Sequence, residues 1–224
     1  MIRGFFVTGT DTGVGKTRVS LGLMRLLQKQ GHVVTGMKPV ASGCRRTPTG
    51  LVNEDALQLQ AQASYTAAYH QVNPYAFEPP IAPHLAAQAC GATIETRVIQ
   101  QALAGLTEDA DRVVVEGVGG WLVPIDSTRT MADIAVAMGL PVVMVVGIRL
   151  GCINHALLTQ AAITSTPVPF AGWVANRTEA DCEAADEIVA TLRVRLKAPC
   201  LAELDYSPEP GASLAVLERV VLGD

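Results

Sequence analysis

Aromatic residues are scarce, with four Phe, four Tyr and two Trp in a chain of 224. The interior must be filled instead by Ala, Val and Leu, a composition typical of helices packed on a parallel sheet. Positive charge is thin as well: 17 Lys and Arg stand against 21 Asp and Glu, a formal net charge of −4. The cations are scattered, so there is no basic field to grip a nucleic-acid backbone. Long apolar runs are missing, since the stretch 135–148 is broken by Gly139, Pro141 and Gly147 and is too short to cross a bilayer. Met1-Ile2-Arg3-Gly4 runs into a strand-like segment without a signal-peptide pattern. The five cysteines (Cys44, Cys90, Cys152, Cys182 and Cys200) are odd in number, lie far apart and form no CxxC pair. That argues against a disulfide framework or a zinc site and fits a reducing cytosol, so a cytoplasmic protein is expected.

What is present is an alternation of short apolar runs with helical periodicity. Phe5 to Thr8 reads as a buried strand stopped by Gly9. Val19, Leu23, Leu26 and Leu27 then recur at helical spacing up to Gly31. A second strand, His32 to Met37, ends at Lys38-Pro39. The stretch from Ala41 to Pro83 is irregular, with one helix starting near Asn53, and reads as an active-site excursion. A helix over Ile94 to Leu106 leads to the apolar strand Arg112 to Glu116, which Gly117, Gly119 and Gly120 end. A helix (Met131 to Met138), a strand (Val142 to Val146), a helix from about Asn154 and a strand (Phe170 to Ala175) repeat the pattern. A helix over Ala180 to Leu196 and a less regular tail complete it. The expected fold is α/β: one domain over 1–224, with a single doubly wound, mostly parallel sheet and helices on both faces. Ligands in such sheets sit beyond the carboxyl ends of the strands, where Lys38, Glu116 and Asn176 fall.

Gly9-Thr10-Asp11-Thr12-Gly13-Val14-Gly15-Lys16-Thr17 follows a strand and opens a helix, the context in which such a loop binds phosphate. Its glycine spacing is one residue longer than the usual G-x-x-x-x-G-K-[ST], yet the physics holds. Glycines let backbone N–H groups turn inward, and the helix start adds partial positive charge. Lys16 is placed to reach the terminal phosphates of a nucleoside triphosphate and the Thr17 hydroxyl to ligate Mg²⁺. Asp11 sets a negative charge close to the phosphates, and nothing in the sequence accounts for it. The loop also lacks the second, early lysine carried by partition and septum-positioning ATPases.

Two strand-end residues carry more chemistry. Lys38 follows an apolar run and precedes Pro39, which keeps it extended, so its ammonium can project into the cleft. Glu116 ends a strand that is otherwise apolar, where an ionised carboxylate must be paired or metal-bound. A structural salt bridge and a second Mg²⁺ ligand both satisfy that demand. Asp55 alone reads as an ordinary helix-start acid.

Taken in order, Gly9 to Thr17, Lys38-Pro39-Val40-Ala41-Ser42-Gly43, Val115-Glu116-Gly117-Val118-Gly119-Gly120-Trp121 and Gly151-Cys152-Ile153-Asn154-His155-Ala156 resemble the dethiobiotin synthetases, P-loop enzymes of biotin biosynthesis. The likeness covers roughly Phe5 to Asn176. It implies closure of a urea ring on 7,8-diaminopelargonate with CO₂ and ATP, through a carbamate and a carbamic–phosphoric anhydride. Lys38 and Lys16 are then the catalytic cations, and Ser42 a hydrogen-bond partner of the substrate's carbamate or amine. Thr17, Asp55 and Glu116 become Mg²⁺ ligands. Gly13, Val14, Gly15, Lys16, Thr17 and Arg18, with Gly117, Val118 and Gly119, hold ATP.

Gly151, Cys152 and Asn154 are implied to meet the substrate's carboxylate tail across a homodimer interface, with Cys152 packing rather than attacking. Asn176 and Arg177 are implied to read the base, with Asp205, Tyr206 and Ser207 as a late adenine segment. That segment departs from the family in having Asp205 where proline is usual. His84 and His155 receive no role. The alternative function is a nucleotide-driven switch for partner or membrane binding. The synthetase half of a cobyrinate-type amidating enzyme is a third, for which the chain lacks the length of an added glutaminase.

Overall fold

Val113, Val114 and Val115 follow one another and are all fully buried, which a strand achieves only when both its faces are covered. The computed structural model describes residues 3–207. The elements begin with β1 (Gly4–Gly9), α1 (Lys16–Lys29), β2 (Val34–Met37), β3 (Val40–Ala41), β4 (Arg45–Thr47), β5 (Gly50–Val52) and α2 (Glu54–Gln62). They continue with α3 (Tyr69–Val72), β6 (Tyr75–Ala76), α4 (Pro83–Ala89), α5 (Thr96–Leu106), β7 (Arg112–Gly120) and α6 (Met131–Met138). The series ends with β8 (Val142–Ile148), α7 (Cys152–Thr164), β9 (Phe170–Arg177), α8 (Ala185–Arg195) and β10 (Cys200–Leu204).

The main sheet has the order β10-β9-β8-β1-β7-β2, and every pairing in it is parallel. Side chains alternate between its faces. Phe6, Val113, Val115, Met144 and Trp173 pack with Ile99, Leu103, Ile134, Ile163 and Leu192 of α5 to α8. Val7, Val114, Val143 and Val174 pack with Val19, Leu23 and Leu26 of α1 and Leu59 of α2. The doubly wound sheet with helices on both faces is therefore what the chain forms. Later strands are laid down on both sides of β1, so the carboxyl end of β1 opens on a crevice.

Several boundaries differ from the sequence expectation. The tail after α8 holds a sixth strand, β10, which extends the sheet beside β9. Its Glu203 is tied to Arg193 of α8 and lies 3.8 Å from Arg177 of β9. The helix expected over Ala180 to Leu196 begins only at Ala185, because Ala184 adopts φ 58° and the polar residues before it form turns. Gly117 and Gly119 do not end β7 but lie inside it; the strand ends at Gly120, which pairs with Gly9 of β1. The helix expected from about Asn154 starts at Cys152. The excursion between Ala41 and Pro83 is more ordered than expected. Besides α2 it holds α3, the β4–β5 hairpin and the β3–β6 pair.

The loop from β7 to α6 forms one wall of the crevice, and a single acid shapes it. Asp126 Oδ1 accepts from the backbone N–H groups of Thr128 at 2.8 Å and Arg129 at 2.7 Å. Its Oδ2 accepts from Arg129 Nε at 2.7 Å, and the same guanidinium reaches Thr96 Oγ1 and the Ile94 carbonyl. Those N–H groups, then the guanidinium, hold the Asp126 carboxyl well below the usual carboxylate range. A depressed folded-state pKa contributes stability above the unfolded value, near ~4, and loses it as pH falls below that. Asp126→Asn should therefore cost about 1–2 kcal/mol at neutral pH. Urea unfolding should show that gap begin to narrow below about pH 5 and go on closing as the pH falls past the usual carboxylate range toward the depressed folded-state value. A gap that stays constant across the range would mean that the charge plays no part.

Candidate active site

The phosphate loop, residues 10–15, bridges β1 and α1, and its shape depends on Gly15. That residue caps α1 at φ 92° without a side-chain cap, which leaves the helix-start N–H groups free for an anion. A Cβ on Gly15 would stand 2.2 Å from Asn176 Nδ2, so only glycine fits. Thr10 N–H donates to Val145 O at 3.0 Å, and Asn176 Nδ2 donates to Val14 O at 2.8 Å. The loop is thus held from β8 and β9. Lys16 Nζ donates to the Asp11 backbone carbonyl at 3.0 Å. Burial, helped by the nearby Lys38 ammonium, lowers the Lys16 pKa to about 8.

Three oxygens converge just beyond the loop. Thr17 Oγ1 lies 2.9 Å from Asp55 Oδ1 and 3.1 Å from Glu116 Oε1. One hydroxyl proton serves only one of these contacts at a time. Lys38 Nζ completes the cluster, 2.5 Å from Glu116 Oε1, 3.0 Å from Asp55 Oδ2 and 3.2 Å from the Gly117 carbonyl. Burial pulls the Lys38 ammonium downward, but the Glu116 and Asp55 carboxylates outweigh it and leave the pKa raised. Asp55 shows the converse. Burial pushes its carboxyl up, and Lys38 with the Thr17 hydroxyl pulls it below its ordinary range. Glu116 is fully buried, and its Oε2 has no hydrogen-bond partner among the described residues. A buried carboxylate oxygen without a partner, beside hard oxygens from Asp55 and Thr17, fits a divalent cation such as Mg²⁺.

Lys38 is held by its backbone as well as by its charge. Its N–H donates to Val72 O at 2.8 Å, and the buried Asn73 donates from Nδ2 to the Lys38 carbonyl at 2.7 Å. Asn53 caps α2 by accepting from Ala56 N–H, which sets Asp55 in the first turn. The excursion thus positions both residues. A cleft of about 670 Å³ opens over the cluster, with Gly13, Gly15, Lys16, Thr17 and Gly119 on one side. Lys38, Ser42, Asp55, Glu116 and Val118 also line it.

Of the residues expected at the site, this cleft gathers the loop, Lys38, Ser42, Asp55, Glu116, Val118 and Gly119. Gly151, Cys152 and Asn154 lie apart from it, at the start of α7. Cys152 is buried, and burial pushes its thiol up, in keeping with packing rather than attack. Asn176 has a structural part to play at the loop: its carboxamide donates to Val14 O and accepts from Arg18 Nη1 at 2.8 Å, so it braces the backbone beside Gly15. Arg18 Nη1 also donates to the Asp205 carbonyl at 3.0 Å, which brings the late segment with Tyr206 and Ser207 beside the loop. Arg177 is engaged by acids, bonding Asp186 and lying 4.0 Å from Asp205.

Sequence reasoning missed Asn73, Arg149 and the wall from Pro80 to Pro83. The run Glu78-Pro79-Pro80-Ile81-Ala82-Pro83 was a visible sign of a rigid wall.

Residues 3–212 match the family described as an AAA domain. The "ATP-dependent dethiobiotin synthetase BioD" of Xanthomonas oryzae pv. oryzae (strain PXO99A) is 50% identical over 209 residues, covering 93% of each chain. The enzyme of that name from Pseudomonas paraeruginosa (strain DSM 24068 / PA7) is 48% identical over 222 residues, covering 98% of this chain and 97% of its own. The chain belongs to the dethiobiotin synthetase family. Its fold is also that of the septum site-determining protein MinD from Pyrococcus horikoshii, solved with Mg-ADP. That likeness has a TM-score of 0.56 at 14% identity and covers 97% of this chain and 95% of the other. A MinC:MinD complex from Aquifex aeolicus gives a TM-score of 0.59 at 15% identity, covering 97% and 94%. At such identities the likeness concerns the fold alone. The segment Gly9 to Thr17 of this chain carries one lysine, Lys16. Among the described residues no helix is long and apolar enough to cross a membrane.

Proposed function

We infer that the chain is an ATP-dependent dethiobiotin synthetase, closing the urea ring of dethiobiotin from 7,8-diaminopelargonate and CO₂ with release of ADP and phosphate. The observation that carries the mechanism is the contact of Lys38 Nζ with Glu116 and Asp55 at the mouth of the phosphate loop. One amine of the diamine takes up CO₂ as a carbamate. A carbamate oxygen attacks the γ-phosphorus and ADP departs, leaving a carbamic–phosphoric anhydride. The second amine then attacks the anhydride carbon, the ring closes and phosphate leaves.

No step requires a covalent nucleophile from the protein. The chain supplies positioning and fixed positive charge. The loop N–H groups and Lys16 hold the β- and γ-phosphates, and Lys16 leaves the Asp11 carbonyl to do so. Lys38, which lines the cleft together with Lys16, would stabilise the carbamate and the charge growing on the transferred phosphoryl group. Ser42, in the loop after β3, offers a hydroxyl to the carbamate or the amine. Thr17, Asp55 and Glu116 would hold Mg²⁺, which supplies charge neutralisation across the phosphate oxygens. Arg18, Asn176 and 205–207 border the purine. Gly151, Cys152 and Asn154 open α7, and although the Cys152 N–H is taken by the Arg149 carbonyl, the positive end of the helix offers a seat for the substrate's distal carboxylate. The family resemblance implies a cytoplasmic homodimer in which these residues meet the substrate of a second copy, and their separation from this chain's own cleft is in keeping with that arrangement.

The test is an ADP-release assay with Mg-ATP and bicarbonate, with and without 7,8-diaminopelargonate. Diamine-dependent ADP together with dethiobiotin is the expected result. Hydrolysis indifferent to the diamine would point instead to a nucleotide switch.

A further inference from the structure

Asp11 is a carboxylate inside a loop built to receive anions, and its surroundings account for it. Its Oδ1 accepts from Thr12 N–H at 2.7 Å, and its Oδ2 accepts from Arg149 Nη2 at 2.6 Å. Its backbone carbonyl is the one that holds Lys16 Nζ. Arg149 comes from another part of the chain. It follows the last residue of β8 and precedes the exposed Leu150 and then Gly151, which caps α7. A single loop residue therefore touches the loop backbone, the phosphate lysine and a guanidinium 138 positions away.

The pair is half-exposed, with side-chain accessibilities of 39% for Arg149 and 46% for Asp11. Exposed ion pairs of this kind contribute little to fold stability. Its influence falls on the loop's electrostatics. A triphosphate brings several negative charges within roughly 10 Å of the Asp11 carboxylate, and at low ionic strength their summed repulsion is worth ~10-fold or more in affinity. We propose that Arg149 is a positioning residue for the nucleotide: it cancels the charge of Asp11 so that the loop can keep this residue, and its carbonyl, beside Lys16 when a triphosphate arrives. The proposal rests on the phosphate-loop reading but not on the identity of the second substrate, so its test is binding rather than turnover.

Mg-ATP affinity is measured by titration calorimetry for the wild-type chain, Arg149→Ala, Arg149→Lys, Asp11→Asn and the double variant Asp11→Asn/Arg149→Ala. Arg149→Ala should weaken binding ~10-fold, with the loss shrinking as salt is raised toward ~0.5 M. Arg149→Lys should recover most of it. The decisive arm is the double variant. Removing the bare carboxylate should make the double variant bind more tightly than Arg149→Ala and return affinity toward that of Asp11→Asn alone, the recovery expected when an uncompensated charge caused the loss. A merely mechanical tie would leave the double variant no tighter than Arg149→Ala, which overturns the proposal. An Arg149→Ala chain that binds as tightly as wild type overturns it too. Should the wild-type chain bind no nucleotide, the phosphate-loop reading itself falls and this proposal with it.

Discussion

Replacing Lys38 with alanine should lower turnover by ~10²-fold or more, the scale expected when one preorganised cation is removed from a charged transition state. The same change should also weaken the fold. Glu116 is fully buried and Lys38 Nζ is its ammonium partner at 2.5 Å. Breaking a buried pair by deleting one member costs about 3–5 kcal/mol, since the remaining charge stays out of water. The two effects are separable by kcat at saturating substrates and by denaturant unfolding of the free chain. A variant that is less stable but turns over at the wild-type rate would reduce Lys38 to a structural counter-ion. Loss of both is the expected outcome, because the ammonium faces the cleft and lies beside the loop lysine whose pKa it helps to lower.

Glu116→Gln carries the second large effect. The substitution keeps size and one acceptor but removes a full charge from the cluster of Thr17, Asp55 and Lys38. It also turns an amide donor toward a site where Glu116 Oε2 has no partner among the described residues. The Mg²⁺ concentration for half-maximal rate should rise ~10-fold or more, as expected when a hard anionic ligand becomes neutral. Excess Mg²⁺ should recover part of the rate. Identical Mg²⁺ titrations for variant and wild type would remove Glu116 from the ligand set.

The parts of this site that were legible in the sequence are those written in local pattern. A strand, a glycine-rich loop and Gly-Lys-Thr at a helix start identify a phosphate cradle. Lys38 and Glu116 stood out as charged residues closing apolar runs. Long-range partners were not legible. Asp11 finds Arg149 across 138 positions, and Asn176 finds Val14 across 162. Neither pairing leaves a periodic trace. The pinning of Lys38 by Val72 and Asn73 was hidden for the same reason, inside a stretch whose prolines and polar residues read as irregular. β10 escaped notice because Pro199 precedes it and Glu203 interrupts its apolar run. It becomes a strand through its pairing with β9. The shortened α8 follows from Ala184, whose left-handed backbone propensity rules do not anticipate.

The Asn176 brace has a thermodynamic consequence. Thr10 and Val14 are already fastened to neighbouring strands, so the configurational freedom of the cradle disappears during folding rather than on encounter with a ligand. Nucleotide capture then resembles a key entering a finished lock, in one kinetic phase whose rate follows nucleotide concentration.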